Sequence, residues 1–131
     1  MKSLSFIFVA AFLFLTASCN PGNNSDKLKL NEDRNQVVFF SDEKNYKQES
    51  SYYDAIIELK QKYPIVFDKI VVIPAANANQ YDNLLKEKRF PAILIVHRDQ
   101  VLANVNGSAT KEQIIEAISA VLTNDSENTK Q

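Results

Sequence analysis

Phe90-Pro91-Ala92-Ile93-Leu94-Ile95, followed after a polar break by Val101-Leu102-Ala103-Asn104-Val105 and then by Gly107-Ser108-Ala109-Thr110-Lys111-Glu112-Gln113-Ile114, decides how this chain folds. An apolar, β-branched run at 92–96 reads as a buried strand, with Pro91 at its mouth. Four polar residues, His97-Arg98-Asp99-Gln100, separate it from a second strand at 101–105, a spacing that calls for an antiparallel hairpin. Gly107 breaks that strand. Thr110-Lys111-Glu112-Gln113 has the form of a capping box, in which the Thr hydroxyl and Gln amide satisfy backbone N–H groups left free by a first helical turn. Ile114, Ile118, Val121 and Leu122 then give a closing helix one apolar face.

Upstream, Gln36-Val37-Val38-Phe39-Phe40 predicts another buried strand, ended by Ser41-Asp42. Residues 50–63 carry Tyr53, Ile56, Ile57 and Tyr63 at helical spacing, and Pro64 stops them. Residues 69–73 form a strand bounded by Pro74, and 80–88 a short helix with Leu84 and Leu85 inward. The order is strand, helix, strand, helix, hairpin, helix. A strand–helix–strand unit implies a right-handed parallel crossover. Adding the hairpin makes a mixed four-stranded sheet with helices on both faces.

The folded part so defined is 36–123. Residues 124–131 are polar and read as a disordered tail, and 20–35 read as a flexible tether, with a short edge strand at 27–30 as the alternative. Met1-Lys2 and the apolar stretch from Leu4 to Leu15 form a signal peptide over 1–18, too short to span a bilayer. Leu15-Thr16-Ala17-Ser18-Cys19 resembles the lipobox of bacterial lipoproteins, which implies an acylated Cys19 at the mature N-terminus. A plain secretory signal is the competing reading. Lipidation would place the protein on the extracytoplasmic side of the cell membrane, since more than one acyl chain gives a stable anchor. The formal charge of −1 shows no basic excess of the kind a nucleic-acid binder carries.

The element order, with Pro91 before the hairpin and Gly107 before a capped helix, resembles the thioredoxin-like fold. The resemblance implies a three-layer α/β/α sandwich with a mixed four-stranded sheet, and a cis peptide bond at Pro91. Redox members of that family carry Cys-x-x-Cys after the first strand, where a helix N-terminus lowers the thiol pKa. Aligned without a gap, Lys44 and Lys47 stand at those two places, Glu43 at the usual Trp, and Val38 at the usual buried acid. Ammonium groups cannot exchange with disulfides, so the resemblance implies a domain without thiol chemistry. The lipobox and the stretch Phe39-Phe40-Ser41-Asp42-Glu43-Lys44…Tyr52-Tyr53-Asp54-Ala55 are also similar to the small envelope lipoproteins of bacilli described as peptidoglycan-associated.

Two binding features follow. Phe90 and Pro91 stand where thioredoxin relatives pair main chain with an extended peptide, a mode that needs no cysteine. Lys44, Lys47, Lys86, Lys88 and Arg89 are expected to converge near the same end, as a patch for an anionic wall polymer or headgroup. Candidate partners are therefore the membrane, through the lipid, and an envelope protein or peptidoglycan. The alternative is a thiol-independent helper of an envelope redox or folding system that holds clients beside Pro91. His97 is the one histidine, and neither a metal site nor a catalytic triad can be assembled around it. No cofactor and no catalytic constellation is expected.

Overall fold

The computed structural model describes residues 33–128. The signal peptide, Cys19 and the tether up to residue 32 lie outside the described residues. Four strands, β1 (Gln36–Ser41), β2 (Ile70–Pro74), β3 (Ala92–His97) and β4 (Gln100–Asn106), form one sheet in the order β2-β1-β3-β4. β2 runs parallel to β1, with Phe40 beside Ile73; β3 runs antiparallel, with Phe40 beside Ala92, and β4 antiparallel to β3. Two helices, α1 (Tyr46–Lys62) and α2 (Lys111–Asn128), complete the order. These directions and this strand order are those of the thioredoxin-like fold, and the Phe90–Pro91 peptide bond is cis.

The period-2 alternation of β1 and β3 splits the core into two. Val37, Phe39, Ile93 and Ile95 face both helices, packing with Tyr52, Ala55 and Leu59 of α1 and Ile114, Ile118 and Leu122 of α2. Val38, Phe40, Ala92, Leu94 and Val96 face the other way, onto Ile73, Ala78, Leu84 and Leu85. An ion pair between Lys111 and Glu58, 2.9 Å, links the two helices at the surface.

The structure corrects five expectations. The layer over the second face is not the helix expected at 80–88. It is a 3₁₀ helix over Ala75–Tyr81 followed by turns, in which Leu84 N–H donates to Tyr81 O at 2.9 Å. Leu84 and Leu85 are buried there as expected, but the approach to Pro91 disfavours a helix, since the residue before a proline is pushed toward extended backbone. In α1 the inward residues are Tyr52, Ala55 and Leu59, while Tyr53 and Ile57 are 48% and 60% exposed. The helix also begins at Tyr46, ahead of Ser50, because Asp42 and Glu49 organise the preceding residues.

The hairpin turn is two residues, not four. Arg98 and Asp99 both have positive φ, 47° and 64°, the backbone of the primed turns whose twist matches flanking strands. His97 and Gln100 are therefore strand residues that pair with each other. Finally, α2 runs through 124–128, which were expected to be tail. No Gly or Pro stops it, Ser126 Oγ donates back to Leu122 O at 3.0 Å, and Asn35 Nδ2 donates to Asp125 Oδ2 at 2.7 Å.

Candidate functional site

The head of the sheet, where β1 ends, is built by three segments. Ser41 is flanked by Pro74 of β2, and Pro91 lies one step beyond the Phe40–Ala92 pair. Gly107, at φ +70°, carries the chain out of β4 toward α2, and its N–H donates to Pro91 O at 2.9 Å. The Gly107 carbonyl in turn accepts from the Tyr52 hydroxyl at 2.8 Å. Tyr52 is fully buried, and burial pushes its phenol up to about 12, so it stays a neutral donor. A single hydrogen-bonded path thus ties α1 to Gly107 and Gly107 to Pro91.

Beneath Phe90 lies an aromatic floor. The Phe40 ring sits 6.1 Å from Phe90 and 6.0 Å from Tyr81, centroid to centroid, within the range of favourable ring pairs. Pro91 O is taken by Gly107, but among the described residues the backbone N–H and C=O of Phe90 have no hydrogen-bond partner.

Lys44 and Lys47 also stand at this head, Lys44 in the 3₁₀ turn Glu43–Asn45 and Lys47 in the first turn of α1. The loop is fixed from below. Asp42 accepts from Lys44 N at 3.2 Å and from Asn45 Nδ2 at 2.8 Å, while its own N–H donates to Glu49 Oε1 at 2.5 Å. Glu49 is 5% exposed and also accepts from the Tyr53 hydroxyl at 3.3 Å. Burial and Glu49 together push the Tyr53 phenol upward. A helix N-terminus stabilises a thiolate but opposes an ammonium, so the position that activates cysteine gives these lysines no comparable gain.

The remaining cations are divided. Lys88 Nζ donates to Asn79 Oδ1 at 2.9 Å and pairs with Asp82 at 3.0 Å; Arg89 Nε lies 3.7 Å from Glu87. Lys86 departs from the expected patch: it lines a cleft of about 490 Å³ with Leu84, Asp99, Gln100 and Leu102, on the β4 side. His97 lies at the opposite end of β3 from Ala92, beside Asp33 and Asn35. Among the described residues no cluster of His, Cys, Asp or Glu could hold a metal ion, and no helix is long and apolar enough to cross a membrane.

Glu49, Tyr52 and Gly107 were not singled out in advance as site residues. The positive φ of Gly107 was signalled by its place before the capping box. Nothing in the sequence shows that the Tyr52 hydroxyl reaches Gly107, 55 residues away.

The strand order and directions define a thioredoxin-like domain, and with one cysteine in the whole chain it has no Cys-x-x-Cys motif. The chain belongs to the family of Pal-related lipoproteins: it is 33% identical over 88 residues to the Pal-related lipoprotein of Bacillus subtilis (strain 168), covering 66% of this chain and 68% of that one. It is therefore an envelope lipoprotein. No protein-family model matches it. Among solved structures, it is similar to the Drosophila thioredoxin Deadhead (TM-score 0.49, 15% identity, 72% of this chain and 88% of that one). It is also similar to thioredoxin-2 of the malaria parasite (TM-score 0.45, 13% identity, 68% and 84%). Against the zinc-bound form of human ERp44 it covers 72% of its own length but 29% of that chain, with a TM-score of 0.49 and 12% identity. The fold assignment rests on the strand order and directions given above.

Proposed function

We propose that this lipoprotein is a non-catalytic binding module, anchored through an acylated Cys19 on the extracytoplasmic side of the cell membrane, that grips an extended peptide at the head of its sheet. The observation that carries this reading is the unpaired main chain of Phe90 above the Phe40–Tyr81 floor. One N–H and one C=O at the end of a strand are what an extended segment needs to pair with, while side-chain pockets add selectivity. Such a segment belongs to an envelope protein or to the peptide stems of peptidoglycan, and the relative's printed name, Pal-related lipoprotein, is in keeping with wall association. A helper role, holding clients for a redox or folding partner that supplies its own cysteines, uses the same grip.

A second reading, an anionic wall polymer held by Lys44, Lys47, Lys88 and Arg89, is supported by Lys44 and Lys47. Both are exposed, and among the described residues no carboxylate pairs with either ammonium. Lys88 and Arg89 support it less, being already matched with Asp82 and Glu87.

A photoreactive residue in place of Phe90, in the native envelope, should crosslink to a peptide-bearing partner, whereas one in place of Ile57 should not. Equal labelling at both positions would sink the peptide reading. Sedimentation with purified peptidoglycan at low salt separates the two ligands: loss of binding on Lys44→Glu with Lys47→Glu favours the polymer. Cys19→Ala should move the protein from the membrane fraction to the soluble one, and continued membrane association would refute the anchor.

A further inference from the structure

β4 is an outer strand, with β3 on one side and, among the described residues, no strand on the other. The N–H and C=O groups it turns away from β3 form a row that another extended segment can join. This edge is apolar as well: Val101 and Leu102 are each 37% exposed. With the buried Leu84, and with Gln100 and Asn104, they line the cleft of about 490 Å³ on the β4 side.

The chain brings a segment of its own to this place. Asp33 pairs with Arg98, the first residue of the β3–β4 turn, and Asn35 Oδ1 meets His97 Nδ1 at 3.1 Å. The lead-in to β1 is thus drawn toward the turn that opens β4, while the other free edge, β2, lies on the far side of β1. Just upstream, outside the described residues, stands Lys27-Leu28-Lys29-Leu30, whose leucines are the only large apolar side chains between Asn20 and Asn35. In an extended segment those two leucines share one face and the two lysines the other. From Leu30 to Asp33 the chain reaches roughly 10 Å, about two strand spacings, enough to pass from the contact with Arg98 to a line beside β4. A segment that must end at the turn can only run antiparallel to β4.

We propose that residues 27–30 join the sheet as a further strand, antiparallel to β4 beside residues 100–103. Leu28 and Leu30 cover Leu84, Val101 and Leu102, and Lys27 and Lys29 point to solvent. The protein's own chain then closes an edge that would otherwise be a template for pairing with a second copy. The attachment stays at the turn end of the sheet and uses no residue of its head.

Amide hydrogen exchange in the full chain reads the pairing. Within residues 100–103, the amides turned away from β3 should exchange about tenfold more slowly in the unaltered chain than in Leu28→Asp with Leu30→Asp. Lys27→Glu with Lys29→Glu should leave them within about twofold of the unaltered chain, because those side chains face solvent. Unchanged exchange at Val37 to Phe39 shows that the fold is intact. A second measurement leaves both leucines in place: a nitroxide on Lys29→Cys, with Cys19→Ala, should broaden the Leu102 amide more than the Val72 amide. Equal exchange in the unaltered chain and the leucine variant, or the reverse order of broadening, overturns the proposal. So does protection that grows with protein concentration as a dimer forms, since a second copy would then be what covers the edge.

Discussion

Replacing Tyr52 by Phe deletes one oxygen from the partly buried contact between α1 and Gly107, and leaves the ring packed against Phe39 at 5.9 Å. The carbonyl of the partly exposed Gly107 then loses its donor. Losing such a hydrogen bond costs about 1 kcal/mol, which for a domain of this size lowers Tm by roughly 5 °C. The same hydroxyl has a signature at high pH. Burial pushes Tyr52 up to about 12 from an ordinary value of 10.0. The folded state therefore keeps its proton where the unfolded chain has released it. That contribution is fully present below about pH 10 and is lost as pH rises through about 12, amounting to about 2–3 kcal/mol in all. Tyr53, also shifted upward, titrates in both proteins and cancels in the comparison. Urea midpoints for the unaltered protein and the Phe variant should thus be well separated at pH 7 and converge toward pH 11–12. Equal midpoints at pH 7, or a separation that persists undiminished into the alkaline range, would refute the role given to this hydrogen bond.

Thr110→Ala removes one half of the reciprocal cap, in which Thr110 N donates to Gln113 Oε1 at 3.0 Å and Gln113 N to Thr110 Oγ1 at 3.2 Å. A loss of about 1 kcal/mol in chemical denaturation is expected, with a reduced helix signal if α2 frays. Ile118→Ala, at a fully buried position, should cost about 2–5 kcal/mol, whereas Ile57→Ala on the outer side of α1 should stay within about 0.5 kcal/mol. Comparable losses at the two positions would mean that the assigned face of α1 is wrong. At Gly107 an added Cβ would meet Arg89 side-chain carbons only at 3.7 and 3.8 Å, so Gly107→Ala should cost only the backbone penalty of its positive φ, about 1–2 kcal/mol. A substantially larger loss of thermal stability would point to a clash that the geometry does not contain.

The sheet was legible because its signals are local. Continuous apolar runs at Val37–Phe40 and Ala92–Val96, bounded by Ser41-Asp42 and Pro91, leave little choice of element, and both strands are buried on both faces. The capping box at Thr110 located α2 for the same reason. The face of α1 was not legible from apolar spacing alone, because Ile57 and Tyr53 compete with Ala55 and Leu59. Packing against the sheet decides that contest, and Ala55 is small enough to allow close approach. The helix expected at 80–88 failed because Leu84 and Leu85 mark burial without stating the backbone that achieves it. At the site, the positions of Phe90, Pro91, Lys44 and Lys47 followed from strand order. The pairing of Lys88 with Asp82 and the burial of Glu49 depend on loop geometry that no short-range pattern encodes.

β1 gives the molecule a polarity. Whatever precedes Asp33 meets the domain at the start of this central strand, beside Arg98 and His97, while Phe90 and Lys44 lie past its other end. Six residues at about 3.3 Å each put roughly 20 Å between those two poles. A lipoprotein held from the first pole turns the second away from the bilayer. On the proposed reading the strand is a spacer as well as a core element, and lengthening what precedes residue 33 would extend the reach of the proposed peptide grip without altering it.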